Sequence, residues 1–219
     1  MEMRAEFHKK LRQIQDDVLA MGSMVERATS RSVTALKERN LDMAHQVITD
    51  DLAINKRRFA IEEKCIQLIA TQQPMAGDLR AIICVLNIIT EIERIGDHAE
   101  GIAKIVIMIG DEPPLKPLID IPRMVEKTND MLHRSLDAFI NRDAEAAVRI
   151  AADDDEVDDL YNQVFRELLT FMIEDPRTIT RATRLVWVAH NLERSADRVT
   201  NICERVIHLV TGRMEEIRA

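Results

Sequence analysis

The chain has 219 residues and a formal net charge of −8, with 46% hydrophobic, 31% charged and only 3% aromatic residues. So acidic a chain, with so few aromatic side chains, lacks the basic surface and stacking platform of a nucleic-acid-binding protein, and direct nucleic-acid binding is not expected. No stretch is long and apolar enough to predict a transmembrane helix, and the N-terminus shows no signal-peptide pattern, which together predict a cytoplasmic protein.

The first half of the sequence predicts three long helices. Apolar residues recur at spacings of three and four over residues 7–39, which indicates a first helix with a coiled-coil-like seam. Asn40 can cap a second helix, which ends before Pro74. A third helix covers about residues 76–109, and Gly96 on its seam indicates that a neighbouring backbone packs closely there.

The second half repeats the first. Residues 111–120 hold three of the six prolines and predict a linker between a first domain, 1–110, and a second, 121–219. After the linker the pattern restarts at an offset of about 100: Met124-Val-Glu126 echoes Met24-Val-Glu26, and Pro176 echoes Pro74. The sequence therefore predicts an all-α fold with six long helices in two tandem antiparallel three-helix bundles.

Within the second half, the fifth helix is expected to start at the acidic run 153–159, and the sixth to cover about residues 178–211. The single tryptophan, Trp187, is expected in the core. The three cysteines stand singly in apolar helical patterns, without a Cys-x-x-Cys pair, and are interpreted as reduced core residues: Cys65, Cys84 and Cys203.

Pairs of acidic residues four apart mark the third and sixth helices, and a matching pair lies one helix upstream of each. Residues four apart project from the same face of a helix. If each hairpin turns at its proline, equal rise per residue brings the two pairs of a half to the same level. The expected clusters are Asp51, Asn55, Glu93 and Asp97 in the first half, and Asp154, Asp158, Glu193 and Asp197 in the second.

Two interpretations of these clusters stay open. Converging carboxylate and amide oxygens suit hard or borderline cations, with Asn55 lowering the charge of the first cluster. Alternatively, Arg94 and Arg194 relieve the repulsion, and the pairs are ordinary solvated helix surface.

A metal-storing or di-iron-carboxylate-like protein is the alternative functional class. Such di-iron sites use Glu-x-x-His, which occurs at neither acidic pair; His190 precedes Glu193 in the reverse order. Because no nucleophile with a base and no phosphate-binding loop is visible, we expect no enzymatic activity.

Four motifs resemble the PhoU family over essentially the whole chain: Gln73-Pro-Met-Ala-Gly-Asp-Leu-Arg80, Ile92-Glu-Arg-Ile-Gly-Asp-His98, Leu192-Glu-Arg-Ser-Ala-Asp-Arg198 and Val206-Ile-His-Leu-Val-Thr-Gly212. The resemblance implies a pair of three-helix bundles in the cytoplasm. It also implies a non-enzymatic negative regulator of phosphate uptake and phosphate-starvation signalling. Such an adaptor would act between the phosphate ABC transporter ATPase and a membrane sensor histidine kinase. We expect a homodimer that meets the membrane only through these partners.

The resemblance also implies multinuclear metal binding on the acidic motifs. Iron is the first expectation, with Mn, Mg, Ca and Zn as alternatives. The implied ligands are Glu93, Asp97, Asp154, Asp158, Glu193 and Asp197, with Asp51 and Asn55 in the corresponding upstream motif. Asn55 departs from the family pattern, which predicts a different or weaker site in the first half.

Overall fold

The computed structural model describes residues 2–213, with side chains from residue 4 onward. The helices are α1 Glu2–Glu38, α2 Leu41–Gln72, α3 Gly77–Ile109, α4 Asp120–Asn141, α5 Ala144–Ala152, α6 Asp154–Glu174 and α7 Ile179–Thr211, with a 3₁₀ turn at Pro176–Thr178. No β-strand occurs between residues 2 and 213. The predicted all-α fold is confirmed, with α5 and α6 together filling the place of the fifth predicted helix.

The two halves start their second helices with the same device. The side-chain oxygen Oδ1 of Asn40 accepts a hydrogen bond of 2.9 Å from the backbone N–H of Met43 at the start of α2. Asp143 caps α5 in the same way, and its Oδ1 accepts from the backbone N–H of Ala146 at 2.9 Å. These bonds satisfy backbone donors that the first helical turn leaves without partners. The predicted cap at Asn40 is therefore confirmed and recurs in the second half.

A helix begins at the acidic run, as expected, but a short additional helix that the sequence analysis did not predict precedes it. Helix α5 already runs from Ala144 to Ala152, and Asp153 separates it from α6. The carboxylate of Asp153 accepts a hydrogen bond from the guanidinium of Arg134 on α4, a tertiary contact that no local pattern encodes. The break places Asp154 in the first turn of a new helix, where the helix dipole favours a carboxylate.

Helices α3 and α7 join the two halves along the middle of the molecule. Glu91 on α3 accepts hydrogen bonds from Arg198 at 3.4 Å and from Asn201 at 3.2 Å, both on α7. Around these polar contacts the two helices bury their apolar seams in one continuous core. Helices α1 and α2 pack on α3, whereas α4, α5 and α6 pack on α7. Each half is thus a bundle built on its own last helix.

The segment between α3 and α4 is held against the second half. Lys116 is buried and forms an ion pair with Glu167 on α6. Glu112 lies 3.6 Å from Arg181 and 3.8 Å from Arg184, both on α7. The predicted linker 111–120 therefore packs on the bundle that follows it.

Trp187 was expected in the core, and this prediction is wrong: the residue is 50% exposed. Its neighbours Val188 and Ala189 are fully buried, so the seam of α7 passes beside the tryptophan and leaves it facing outward. The interpretation of the cysteines is confirmed. All three are buried free thiols, and burial raises the pKa of each to about 12.

Gly96 faces α2 at close range. A Cβ atom added there would lie 3.4 Å from Oδ1 of Asp51 and 3.4 Å from two side-chain carbons of Ile54. The close approach expected at Gly96 is present, but its partners are side chains rather than backbone. A methyl group fits this space, and Ala196 occupies the equivalent place in the second half, fully buried.

This packing predicts opposite effects for two substitutions at Gly96. Gly96→Ala should raise the free energy of unfolding by up to about 1 kcal/mol, because alanine favours the helix and its methyl makes ordinary contacts. Gly96→Leu should lower it by about 1–3 kcal/mol, since the longer side chain overpacks against Ile54 and Asp51. Urea unfolding measures both, with Ala196→Gly as the matched change in the other half. Equal destabilisation by alanine and leucine would contradict this description of the packing.

Candidate metal centres

The second-half cluster forms between α6 and α7, which run antiparallel through the turn at Pro176–Thr178. Helix α6 supplies Asp154 and Asp158, and α7 supplies Glu193 and Asp197. Asp154 is only 4% exposed. Burial and then the charges of Asp158, Asp197 and Glu193 raise the pKa of Asp154 to about 7. The structure thus brings all four predicted side chains into one electrostatic environment.

Two oxygen atoms of this cluster are buried and form no hydrogen bond: Oδ1 of Asp154, and Oε2 of Glu193, which lies 3.3 Å from Nδ1 of His190. Burial, followed by the charge of Asp197, also raises the pKa values of Glu193 and Asp158. A buried carboxylate oxygen without a donor is costly, and a bound cation would offset both the desolvation and the mutual repulsion. Asp154 therefore offers an unpartnered oxygen to a cation, and metal binding by the cluster stays a prediction.

The histidines near the clusters have other contacts. Nδ1 of His190 lies 3.3 Å from Oε2 of Glu193, at the edge of the second cluster. His98 lies on the α3–α7 interface, with Nδ1 3.2 Å from the hydroxyl of Ser195. Burial, together with nearby positive groups such as Arg194, lowers the pKa of His98 to about 4. His98 is therefore a neutral interface residue at pH 7.

The first-half cluster forms between α2 and α3 at the equivalent level. Asp51 is 8% exposed, and Nδ2 of Asn55 donates a 2.7 Å hydrogen bond to its Oδ2. Burial and the charges of Glu100, Asp97 and Glu93 raise the pKa of Asp51 to about 6. Sequence analysis missed Glu100, although it lies one helical turn after Asp97 on the same face of α3.

Two arginines enter the first cluster. Nε of Arg58 lies 3.8 Å from Oε1 of Glu93, and Nε of Arg94 lies 3.8 Å from Oε2 of the same residue. Arg94 also donates a 3.2 Å hydrogen bond to Asp97. Relief of repulsion by Arg94 was one of the two interpretations left open by the sequence. The sequence analysis did not single out Arg58. A long arginine side chain can reach several residues, and the sequence does not show which of them it contacts.

Neither cluster forms a complete metal coordination sphere. Between residues 4 and 213, no three His, Cys, Asp or Glu side chains are arranged so that they could hold a metal ion as they stand. Metal occupancy and the identity of the ion stay predictions. A cation at the second cluster would need side chains of Asp158, Glu193 or Asp197 to rotate towards the partnerless oxygen of Asp154.

The described helices also bear on membrane association. None of those between residues 2 and 213 combines the length and apolar character that crossing a bilayer requires.

Comparison with known proteins decides the family. The family model described as "PhoU domain" matches residues 18–106 and again residues 121–206. The chain belongs to the PhoU family. The two matches are the two halves of the duplication, and each includes one of the clusters.

Relatives in the PhoU family are similar over nearly the whole chain. One is the phosphate-specific transport system accessory protein PhoU homolog of Aquifex aeolicus, 40% identical over 204 residues that cover 93% of this chain and 92% of the relative. The accessory protein PhoU of Escherichia coli K12 is 37% identical over 207 residues, covering 94% of this chain and 86% of the relative.

Solved PhoU structures share the fold. The crystal structure of PhoU from Pseudomonas aeruginosa is 36% identical, with a TM-score of 0.88 over 94% of this chain and 100% of that one. The phosphate transport system regulatory protein PhoU from Streptococcus pneumoniae is 31% identical, with a TM-score of 0.89 over 96% and 100%.

Burial of Asp154 predicts an unusual pH dependence for the metal-free protein. In the folded state this carboxyl holds its proton up to about pH 7, whereas an unfolded aspartate loses it near pH 4. Stability should therefore fall as the pH rises from about 4 to about 7, by an amount on the order of 2 kcal/mol. Asp154→Asn should make this fall clearly smaller, because the amide does not titrate, while the raised pKa values of Asp51, Asp158 and Glu193 leave a remainder.

Urea unfolding in a chelating buffer at a series of pH values measures the effect. Asp155→Asn is the matched control, since Asp155 lies in the same turn of α6 but is exposed. If Asp154→Asn and Asp155→Asn show the same pH profile as the parent protein, the proposed environment of Asp154 is wrong.

Proposed function

We propose that this chain is a non-enzymatic, cytoplasmic negative regulator of phosphate uptake and phosphate-starvation signalling. The observation that carries the proposal is the repeated family match, together with relatives named as accessory proteins of phosphate-specific transport systems over 93% and 94% of this chain. In this role the protein is an adaptor. Its partners are the ATPase subunit of a phosphate ABC transporter and a sensor histidine kinase.

The helix surfaces support an adaptor role. Leu52, Phe59 and Ile66 recur every seven residues along α2 and are 71%, 58% and 57% exposed. Spacing by seven places them on one outward stripe, and contiguous exposed apolar side chains mark interaction surfaces. Apolar stripes on rigid helices suit a partner that presents a helix of its own. The same stripe is available to a second copy of the chain, and homodimerisation stays a prediction.

Capture of partners tests the adaptor proposal. Tagged full-length protein purified from phosphate-replete cells should retain the transporter ATPase subunit and the histidine kinase. Leu52→Ser/Ile66→Ser should retain less of both, because it interrupts the α2 stripe without changing the core. The matched control is Asp111→Ser/Glu145→Ser, which also changes two exposed residues. Recovery of neither partner by the unaltered protein would contradict the proposal.

Metal binding is a second part of the proposed function. The buried oxygen Oδ1 of Asp154, which has no hydrogen-bond partner, supports it, since carboxylate oxygens are the ligands of iron, Mn²⁺, Mg²⁺ and Ca²⁺. When bound, the ion would neutralise the repulsion between α6 and α7. Asp154, Asp158, Glu193 and Asp197 would hold it, with iron as the first candidate and zinc as a further alternative.

Elemental analysis of protein purified without chelator tests this part. Glu193→Ala/Asp197→Ala should lose most of the bound metal, because the double substitution removes both ligands from α7. Asp111→Ala/Glu145→Ala changes the net charge equally and should retain it. Equal metal content in the two variants would exclude binding at the second cluster.

The alternative function is a metal-storing or di-iron-carboxylate-like protein. The partnerless oxygen Oδ1 of Asp154 is consistent with that function too. Oxidase turnover by iron-loaded protein that captures neither partner would favour that alternative over the adaptor.

A further inference from the structure

The two clusters differ in charge at one equivalent position of the repeat. Arg58 follows Asp51 by seven residues, and Tyr161 follows Asp154 by seven residues. Seven residues are about two helical turns, so each of these side chains lies on the same face as its aspartate. The first half thus has a permanent cation where the second half has a neutral aromatic ring.

Three contacts hold the guanidinium of Arg58 in the first cluster. Its Nε lies 3.8 Å from Oε1 of Glu93, and its Nη1 donates a 3.2 Å hydrogen bond to Glu62. The guanidinium carbon also lies 4.4 Å from the ring centroid of Phe59. Only 20% of the side chain is exposed. Arginine carries a fixed positive charge in proteins.

A second arginine and Asn55 contact further oxygens of the first cluster, although Oδ1 of Asp51 is buried without a hydrogen-bond partner. Arg94 approaches Oε2 of Glu93 at 3.8 Å and donates to Asp97 at 3.2 Å. Asn55 adds no charge and donates to Asp51 instead. Both oxygens of Glu93 therefore face a guanidinium, and an incoming metal ion would meet two fixed positive charges at close range.

The second cluster has a tyrosine, and no arginine, at the position equivalent to Arg58. The ring of Tyr161 packs beside His190 and Phe165, with centroids 6.1 Å and 6.4 Å apart. Asp154 is 4% exposed, and its Oδ1 has no hydrogen-bond partner. Oδ1 of Asp51 also lacks a partner, so the difference between the clusters is the residue two turns further on: a neutral tyrosine in the second half and an arginine in the first.

We propose that Arg58 is the built-in cation of the first cluster and excludes metal ions there, so that the chain binds metal only through the second cluster. This inference rests on the proposed metal binding by Asp154, Asp158, Glu193 and Asp197. In this proposal the negative charge of the first cluster is neutralised by Arg58, and the negative charge of the second cluster is neutralised by a bound metal ion.

The first cluster can be tested by itself in a full-length Glu193→Ala/Asp197→Ala background, where the second cluster is disabled. Mn²⁺ binding is measured by equilibrium dialysis. The background protein should bind no Mn²⁺ at the first cluster. Adding Arg58→Tyr, which copies the residue of the second half, should raise the affinity for Mn²⁺ about tenfold or more. A further Glu93→Gln change should remove the gained site.

Arg57→Tyr is the matched control. Arg57 is the adjacent arginine on α2 and pairs with Asp17 of α1 at 3.2 Å, so its replacement leaves Arg58 in the cluster and should create no site. Circular dichroism checks that each variant remains helical. If Arg58→Tyr loses helical structure, Arg58→Met keeps the length of the side chain and takes its place.

Two results would overturn the inference: tight Mn²⁺ binding by the background protein with Arg58 present, or no gain when Arg58 is replaced. The proposed metal binding by the second cluster is tested separately, by comparing the unaltered protein with the background protein. A gain at the first cluster without binding by the unaltered protein would uphold the role of Arg58 and refute binding at the second cluster.

Discussion

Carboxylates of like charge are held together between packed helices, and most of the local structure follows from that constraint. Asp51 and Asp154 are buried at the centre of their clusters, where desolvation and neighbouring acids disfavour the charged form. Small residues opposite them, Gly96 and Ala196, let the paired helices approach. The apolar core on both sides supplies the stability that keeps such unfavourable groups in place.

Duplication preserved the frame of the two clusters and changed the way their charge is neutralised. The N-caps at Asn40 and Asp143 are equivalent, and both hairpins turn near a proline, so the acids of each half meet at the same level. In the first half, arginines face the acids. In the second, Tyr161 stands where the first half has Arg58, and His190 lies 3.3 Å from Glu193. The same fold therefore holds one acidic cluster with Arg58 beside it and one with a neutral tyrosine at the equivalent position.

Much of this arrangement could be predicted from the sequence, because the rise of a helix is constant and apolar spacing marks its buried face. That is why the cap at Asn40 was placed correctly and the acids of each half were expected at one level; metal binding by the eight cluster residues stays a prediction. The break at Asp153 was not predicted, and the bond between Asp153 and Arg134 found there joins two helices. Arg58 was missed because its contact with Glu93 also joins two helices, which local sequence does not show. Trp187 was misplaced because apolar character alone does not define the register of the seam.

The central claim is that Asp154 of the second cluster is buried beside other carboxylates in the metal-free protein, with no hydrogen-bond donor at its Oδ1. Carboxyl-carbon NMR of Asp154, titrated in a chelating buffer, tests it most directly because it observes the group itself. The account predicts a titration midpoint near the raised pKa of about 7. A midpoint near 4, the ordinary value for aspartate, would show a solvated or paired carboxylate and would contradict the account.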